Sequence, residues 1–155
     1  MSSLTDFMEN KIIDWLFRAQ AIGITGASAG AGSGPTTLYV GLFTAAPTDS
    51  TAGTEVSGGS YARVAVTSGT SAWNNTQGNT SGASTGTDGT TENAGAITFP
   101  APTANWGVVT AFGIFDASSG GNLLIYTNLT TSKTINNGDA APSFAVGALS
   151  VQIDN

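Results

Sequence analysis

The chain has 155 residues, enough for one domain of ordinary size. Only 9% of its residues are charged, its formal net charge is −6, and it contains no cysteine and no histidine. This composition excludes disulfides, thiolate metal sites and histidine chemistry, and it gives no basic surface for nucleic acid. Glycine and uncharged polar residues replace the charges, which favours a protein that packs against copies or partners, since burying a hydroxyl costs less than burying an ion.

Residues 4–20 are predicted to form an amphipathic helix, because apolar side chains recur there at spacings of three and four. Ser3, followed three residues later by Asp6, predicts a capping box at the helix start. Asp14 and Arg18 are spaced as an i,i+4 ion pair.

The apolar surface of this helix is wider than one sheet face needs, because Ile13 and Phe17 lie outside the main stripe. Two interpretations stay open: the helix packs on its own domain, or it bundles with copies or anchors in a neighbouring protein. In the second case we expect a chain lacking residues 1–20 to fold but not to assemble. The candidate oligomer and anchor residues are Leu4, Phe7, Met8, Ile12, Trp15 and Leu16.

The chain is predicted to divide into an N-terminal helix (1–22), a Gly/Ala/Ser linker (23–35) and a β-domain (36–155). Charged residues interrupt the apolar positions of the first segment, so it is interpreted as neither a signal peptide nor a membrane span. We therefore expect synthesis in a cytoplasm and no membrane partner.

From Thr36 onward the hydrophobic period changes to two, which predicts strands. Turn signals recur at the spacing expected of an all-β fold, here an antiparallel β-sandwich, jelly-roll-like or immunoglobulin-like, with one N-terminal α-helix. Asn137-Gly138 predicts a type I′ hairpin turn. The predicted strands are 36–44, 61–67, 96–100, 106–116, 122–129 and 143–153.

The segment 68–95 has one large apolar residue, Trp73, and is otherwise rich in small polar residues. A loop of this length is either a functional contact surface or a solvated insertion. Trp73, Asn74 and Asn75 are its candidate surface contact, because an aromatic ring beside amides can bind a sugar. Packing of Trp73 in the core is the alternative.

Candidate catalytic groups are poorly placed throughout the sequence. No serine lies in a nucleophile motif, and most carboxylates fall in turns, where acids usually cap backbone groups. Asp88 and Glu92 are the best candidates for calcium ligands in the sequence, but they do not have the spacing of a calcium-binding loop. We therefore predict no catalytic residue, no metal site and no cofactor.

Five segments taken together resemble small virion proteins of tailed bacteriophages, generally described as tail fibre or structural proteins. The resemblance covers about Leu38 to Asp154 plus the N-terminal helix, and it implies a non-enzymatic β-sandwich subunit present in many copies in a virus particle. The segments are LYVGLFTAAPT (38–48), GGSYARVAV (58–66), ITFPAPTANWGVVTAFGIFDASSGGNLL (97–124), LTTSKTINNGD (129–139) and FAVGALSVQID (144–154).

The expected function is therefore that of a structural protein of a bacteriophage virion, made in the host cytoplasm. We expect a tail-associated fibre or baseplate accessory that assembles as a homo-oligomer, in first place a trimer, through its N-terminal helix. Its expected partners are copies of itself and other virion proteins. Decoration of the capsid exterior is the first alternative, and a glycan-binding module that attaches to the host surface is the second.

Overall fold

The structure, a computed structural model, describes residues 4–24 and 34–153. Within these ranges it is mostly β, with one helix and antiparallel sheets, so the predicted fold class is confirmed. Its elements are α1 (Asp6–Leu16), β1 (Thr37–Ala45), β2 (Thr54–Glu55), β3 (Val64–Thr67), β4 (Thr90–Glu92), β5 (Ile97–Thr98), β6 (Gly107–Phe115), β7 (Leu123–Ile135), β8 (Ser143–Phe144) and β9 (Ser150–Gln152).

The largest sheet has five strands in the order β2-β1-β6-β7, and β3 also pairs with β1. β6 runs antiparallel to both β1 and β7, in a register that places Gly41 opposite Gly113 and Gly113 opposite Tyr126. Two small sheets pair β4 with β9 and β5 with β8.

The strand boundaries differ from the prediction in segments whose polar residues do not show the apolar–polar alternation of a strand. β7 runs to Ile135, six residues beyond the predicted end, because its second half is rich in threonine, which favours strands but is not apolar. The segment predicted as one strand, 143–153, forms β8 and β9 with a break between them. β2 and β4 were not predicted, and β4 lies inside the segment 68–95.

The turn at 136–139 corrects the type I′ prediction. The Asp139 N–H donates to the Asn136 carbonyl at 3.2 Å, but only Gly138 has a positive φ, at 81°. A type I′ turn needs positive φ at both central residues, whereas one such residue in the third position is the type II pattern. β8 pairs with β5, so this turn does not close a hairpin.

Helix α1 is shorter than predicted and is capped differently. Its N-cap is Thr5, whose side chain accepts from the Met8 N–H at 3.4 Å, and Asp6 is the first helical residue. Ser3 lies outside the described residues. At the other end Ala19 adopts a left-handed φ of 53°, which explains why the helix does not reach residue 20.

The chain forms two compact units. Among the described residues, the first comprises 4–24, 34–37, 67–96 and 144–153, and the second comprises Leu38–Val66 and Ile97–Ser143. The predicted division at 22 and 35 stays a prediction, because most of the proposed linker lies outside the described residues. The helix in the described ranges is too short and too polar to cross a membrane.

Candidate interaction surfaces

Helix α1 buries a polar face in the first unit. Glu9, Asn10 and Asp14 are buried on it beside Ile13, and Phe17 and Arg18 continue this buried face just beyond the helix end. Burying polar groups costs free energy unless each finds a partner, so the residues that meet this face decide how the helix is held.

The partners of Asn10 and Asp14 come from the segment 68–95. The Asn10 amide accepts from the Thr76 hydroxyl at 2.5 Å and donates to the Gly86 carbonyl at 2.8 Å. Asp14 accepts from both the backbone N–H and the hydroxyl of Ser84, at 2.9 and 2.6 Å. The segment therefore provides the docking surface for α1, instead of forming a solvated insertion.

Arg18 closes this polar contact. Its Nε lies 3.2 Å from an Asp14 carboxylate oxygen, which confirms the predicted ion pair, and its Nη2 donates to the Gly82 carbonyl at 2.6 Å. The side chain is fully buried, and burial lowers the pKa of Arg18, partly offset by the charge of Asp14. Arg18 thus links Asp14 to the segment 68–95, while among the described residues its Nε and Nη1 have no hydrogen-bond partner.

Trp73 forms the apolar part of the same contact. Its ring is fully buried and lies 4.8 Å from the ring of Phe17, centroid to centroid. Asn75 is also buried, where its side chain donates to the Ser81 carbonyl and accepts from the Gln77 N–H. The predicted surface contact at Trp73 and Asn75 is therefore wrong, because both side chains fill the interior, and Asn74 is half-buried.

The six predicted anchor residues all stay at least partly exposed; five lie on α1, and Leu4 lies just before its N-cap. Leu4 and Phe7 are 40% and 58% exposed, and the Lys11 ammonium lies 5.6 Å from the centre of the Phe7 ring. The other four predicted residues, Met8, Ile12, Trp15 and Leu16, are half-buried. Leu4, just before the N-cap, and Phe7 are the most exposed of the six, and together they are called the outer face of α1 below. The inner face combines the buried polar residues with the fully buried Ile13.

One face of the five-stranded sheet, in the second unit, carries a small aromatic cluster over two glycines. A Cβ at Gly113 would lie 2.5 Å from Leu123 Cδ1 and 2.8 Å from a ring carbon of Phe43. A Cβ at Gly41 would likewise lie 2.8 Å from a ring carbon of Phe115. The two glycines thus give the Phe43 and Phe115 rings, which stack at 5.9 Å, room to lie against the sheet.

Arg63 joins three parts of the second unit, a role that the sequence analysis did not identify. Its Nε and Nη2 both donate to the Glu55 carboxylate at 2.8 Å, a bidentate ion pair. Its Nη1 donates to the carbonyls of Ala117 and Gly120, and its guanidinium lies 3.3 Å from the centre of the Phe115 ring. With its donors engaged in this way, Arg63 is a structural residue that fixes the β6–β7 turn.

Tyr61 also takes part in the hydrogen-bond network of Arg63 and Glu55. Its hydroxyl donates to Glu55 at 2.9 Å and accepts from the Leu42 N–H at 2.8 Å. Burial raises the pKa of Tyr61 far above its usual value, and the neighbouring charge of Glu55 adds to the rise, against the lowering effect of the Leu42 hydrogen bond.

The raised pKa predicts a loss of stability in alkali. An unfolded tyrosine ionises near pH 10, while the folded Tyr61 stays neutral, so its contribution is complete below about pH 10 and declines as the pH rises further. Urea unfolding between pH 8 and 11.5 should therefore show a steeper fall for the wild type than for Tyr61→Phe. Equal slopes for the two proteins would contradict the raised pKa.

Metal-binding groups are sparse in this part of the chain. Within residues 4–24 and 34–153 no three acidic side chains come close enough together to hold a metal ion. Asp88, one of the two calcium candidates, instead accepts from the Thr90 N–H within its own turn.

Comparison with known protein families gives a match over most of the chain. The family model described as podophage GP4 fiber I protein gp80 matches residues 3–152. No curated protein matches the chain. The family match spans α1, both compact units and all nine strands, so it covers the helix as well as the β-structure.

Proposed function

The chain belongs to the family of the podophage GP4 fiber I protein gp80, a family of phage fibre structural proteins, and from this premise we propose that it is a tail fibre subunit that assembles as a homotrimer through the outer face of α1. Family membership implies a component of the virion. The family is structural, which supports a non-enzymatic role.

The observation that carries the assembly proposal is the division of α1 into two faces. The inner face is held by buried hydrogen bonds to the segment 68–95, so the helix is positioned before any partner binds. The outer face presents Leu4 and Phe7 to solvent at 40% and 58% exposure. Burying large apolar side chains yields about 1.5–3 kcal/mol each, which favours association once the entropic cost of bringing subunits together is met.

Deletion of residues 1–20 is a poor test of this proposal. It would remove Phe17 from the buried Trp73 ring and leave the Ser84 and Thr76 hydroxyls without their helix partners. A truncated chain would lose stability as well as the outer face, so failure to assemble would have two explanations. Substitutions of the exposed residues alone distinguish loss of the outer face from loss of stability.

The test is complementation of a phage that lacks this gene with chains altered only on the exposed face. We expect the double variant Leu4→Ser/Phe7→Ser to be folded and soluble but at least tenfold depleted in purified particles. The control is Val146→Ser, which removes an apolar side chain of comparable exposure, 64%, outside α1 and should be incorporated normally. Normal incorporation of the double variant would overturn the role of the helix.

The position on the particle is a separate proposal, supported by the fibre description of the family. Quantitative mass spectrometry of purified particles counts the chain relative to the major capsid protein. A tail fibre requires a few to a few tens of copies, whereas decoration of the capsid exterior requires hundreds. A count in the hundreds would replace the fibre assignment with the capsid alternative.

A further inference from the structure

A groove on the second unit lies between the turn 48–52 and the start of β7. It encloses about 460 Å³, within the range of small-molecule sites, about 300–1,000 Å³. Polar residues line one wall and apolar or aromatic residues the other. The lining residues used below are Asp49, Leu123, Leu124 and Tyr126.

A β-bulge shapes the apolar wall. Phe115 pairs with Leu123 and Ile114 with Ile125, so Leu124 is an extra residue between two paired positions. Bulges re-aim side chains and are over-represented beside functional sites. Here the result is that Leu124 and Tyr126 remain 39% and 38% exposed beside the groove.

The polar wall is a pre-organised turn. The Thr48 hydroxyl accepts from the N–H groups of Ser50 and Thr51, and the hydroxyls of Thr48 and Thr51 lie 2.7 Å apart. The hydroxyls of Thr48 and Thr51 are therefore engaged in hydrogen bonds within the turn. In the part of the chain that the structure describes, the Asp49 carboxylate and the Tyr126 hydroxyl have no hydrogen-bond partner, so both are available to a ligand.

We propose that this groove binds a neutral pyranose, with the sugar ring against Tyr126 and its hydroxyls donating to Asp49. An aromatic ring with a polar tip suits a ligand that has one apolar face and a hydroxylated edge. A carboxylate acceptor binds hydroxyl donors in charge-assisted hydrogen bonds. This inference does not rest on the proposed assembly through α1, which uses different residues.

The charge of the groove selects the class of ligand. Its one ionisable wall residue besides the tyrosine is Asp49, and no Lys or Arg lines it. A phosphate or a uronic acid would therefore meet a like charge without a counter-charge. Neutral sugars avoid that repulsion and still satisfy the carboxylate.

The test is saturation-transfer NMR on the full-length protein with a panel of neutral methyl pyranosides (gluco, galacto, manno and rhamno forms) and with glucuronate and galacturonate. We expect at least one neutral pyranoside to bind with millimolar affinity and the uronates to bind more weakly. Tyr126→Ala and Asp49→Ala should each weaken binding about tenfold or more, equivalent to about 1.4 kcal/mol. Tyr126→Phe should retain most of it, because the ring remains.

The control is Val108→Ser, an exposed apolar residue of β6 at 47% exposure that does not line the groove, which should bind as the wild type does. Absence of binding by every neutral pyranoside, stronger binding by a uronate, or unchanged binding by both alanine variants would overturn the proposal. A change in oligomeric state for Tyr126→Ala would assign the groove to contact between copies and would also overturn it.

Discussion

Replacing Trp73 with alanine is expected to lower the free energy of unfolding by about 3–5 kcal/mol, the usual cost of removing a large aromatic side chain from a core. Trp73 is fully buried and packs on Phe17, and its backbone bridges to Asn93. The substitution would leave a cavity beside Phe17 in the interior of the first unit. Urea unfolding followed by circular dichroism measures the loss.

The control for this prediction is Thr87→Ala, an exposed residue of the same segment, which should change stability by less than about 0.5 kcal/mol. A Trp73→Ala protein within about 1 kcal/mol of the wild type would mean that the segment 68–95 does not form a packed part of the fold. The docking of α1 on that segment would then lose its support as well.

Replacing Arg63 with alanine is expected to cost about 3 kcal/mol, the low end for breaking a buried ion pair, because Glu55 keeps 27% of its side chain exposed. The change leaves the Glu55 carboxylate without its bidentate partner and the Ala117 and Gly120 carbonyls without their donor. It also uncovers the Phe115 ring. The β6–β7 turn should therefore loosen as the stability falls.

The variant Arg63→Lys distinguishes the effect of the positive charge on stability from the effect of the planar guanidinium group. Lysine keeps the positive charge but has no planar fork, so it cannot make the bidentate pair and reach both carbonyls together. We expect it to lose more than half as much stability as the alanine variant in urea unfolding. The control is Lys133→Ala, which removes one positive charge from an exposed site of β7 and should be nearly neutral. A lysine variant as stable as the wild type would show that net charge alone matters here.

The strands of the large sheet were predictable from local pattern. β1 and β6 are rich in β-branched and aromatic residues, and the structure places them within one residue of the predicted ends. The second half of β7 was not predicted, because serine, threonine and lysine on an edge strand give no alternation of apolar and polar residues. In the structure its pairing with β6 nevertheless extends from Leu123 to Ile135.

The structure of the segment 68–95 could not be predicted from its sequence, because the residues that hold it in place lie far away along the chain. Thr76 and Ser84 bind Asn10 and Asp14, more than 60 residues earlier in the chain. Asn93 likewise holds the C-terminal part of the first unit, where its side chain donates to Ala145 and accepts from Leu149. Pairs of small polar residues at such separations leave no periodic signal.

The helix shows how a correct pattern can still give an incomplete interpretation. Its apolar stripe predicted that the helix is amphipathic, but not which face is inside. Asn10 and Asp14 can face inward because each finds hydrogen-bond partners in the segment 68–95, and these offset the cost of burying a polar group. Of the residues named as an anchor, Leu4 and Phe7 are exposed and the other four are half-buried, and their role in assembly stays a prediction.

Sedimentation equilibrium of the purified full-length chain tests the central claim most directly, since it measures assembly without any other virion protein. The account predicts a trimer at micromolar concentration for the wild type and a monomer for Leu4→Ser/Phe7→Ser that still unfolds cooperatively in urea, at a lower concentration than the wild type because assembly stabilises the folded chain. A wild-type monomer, or a double variant that stays trimeric, would contradict assembly through the outer face of α1.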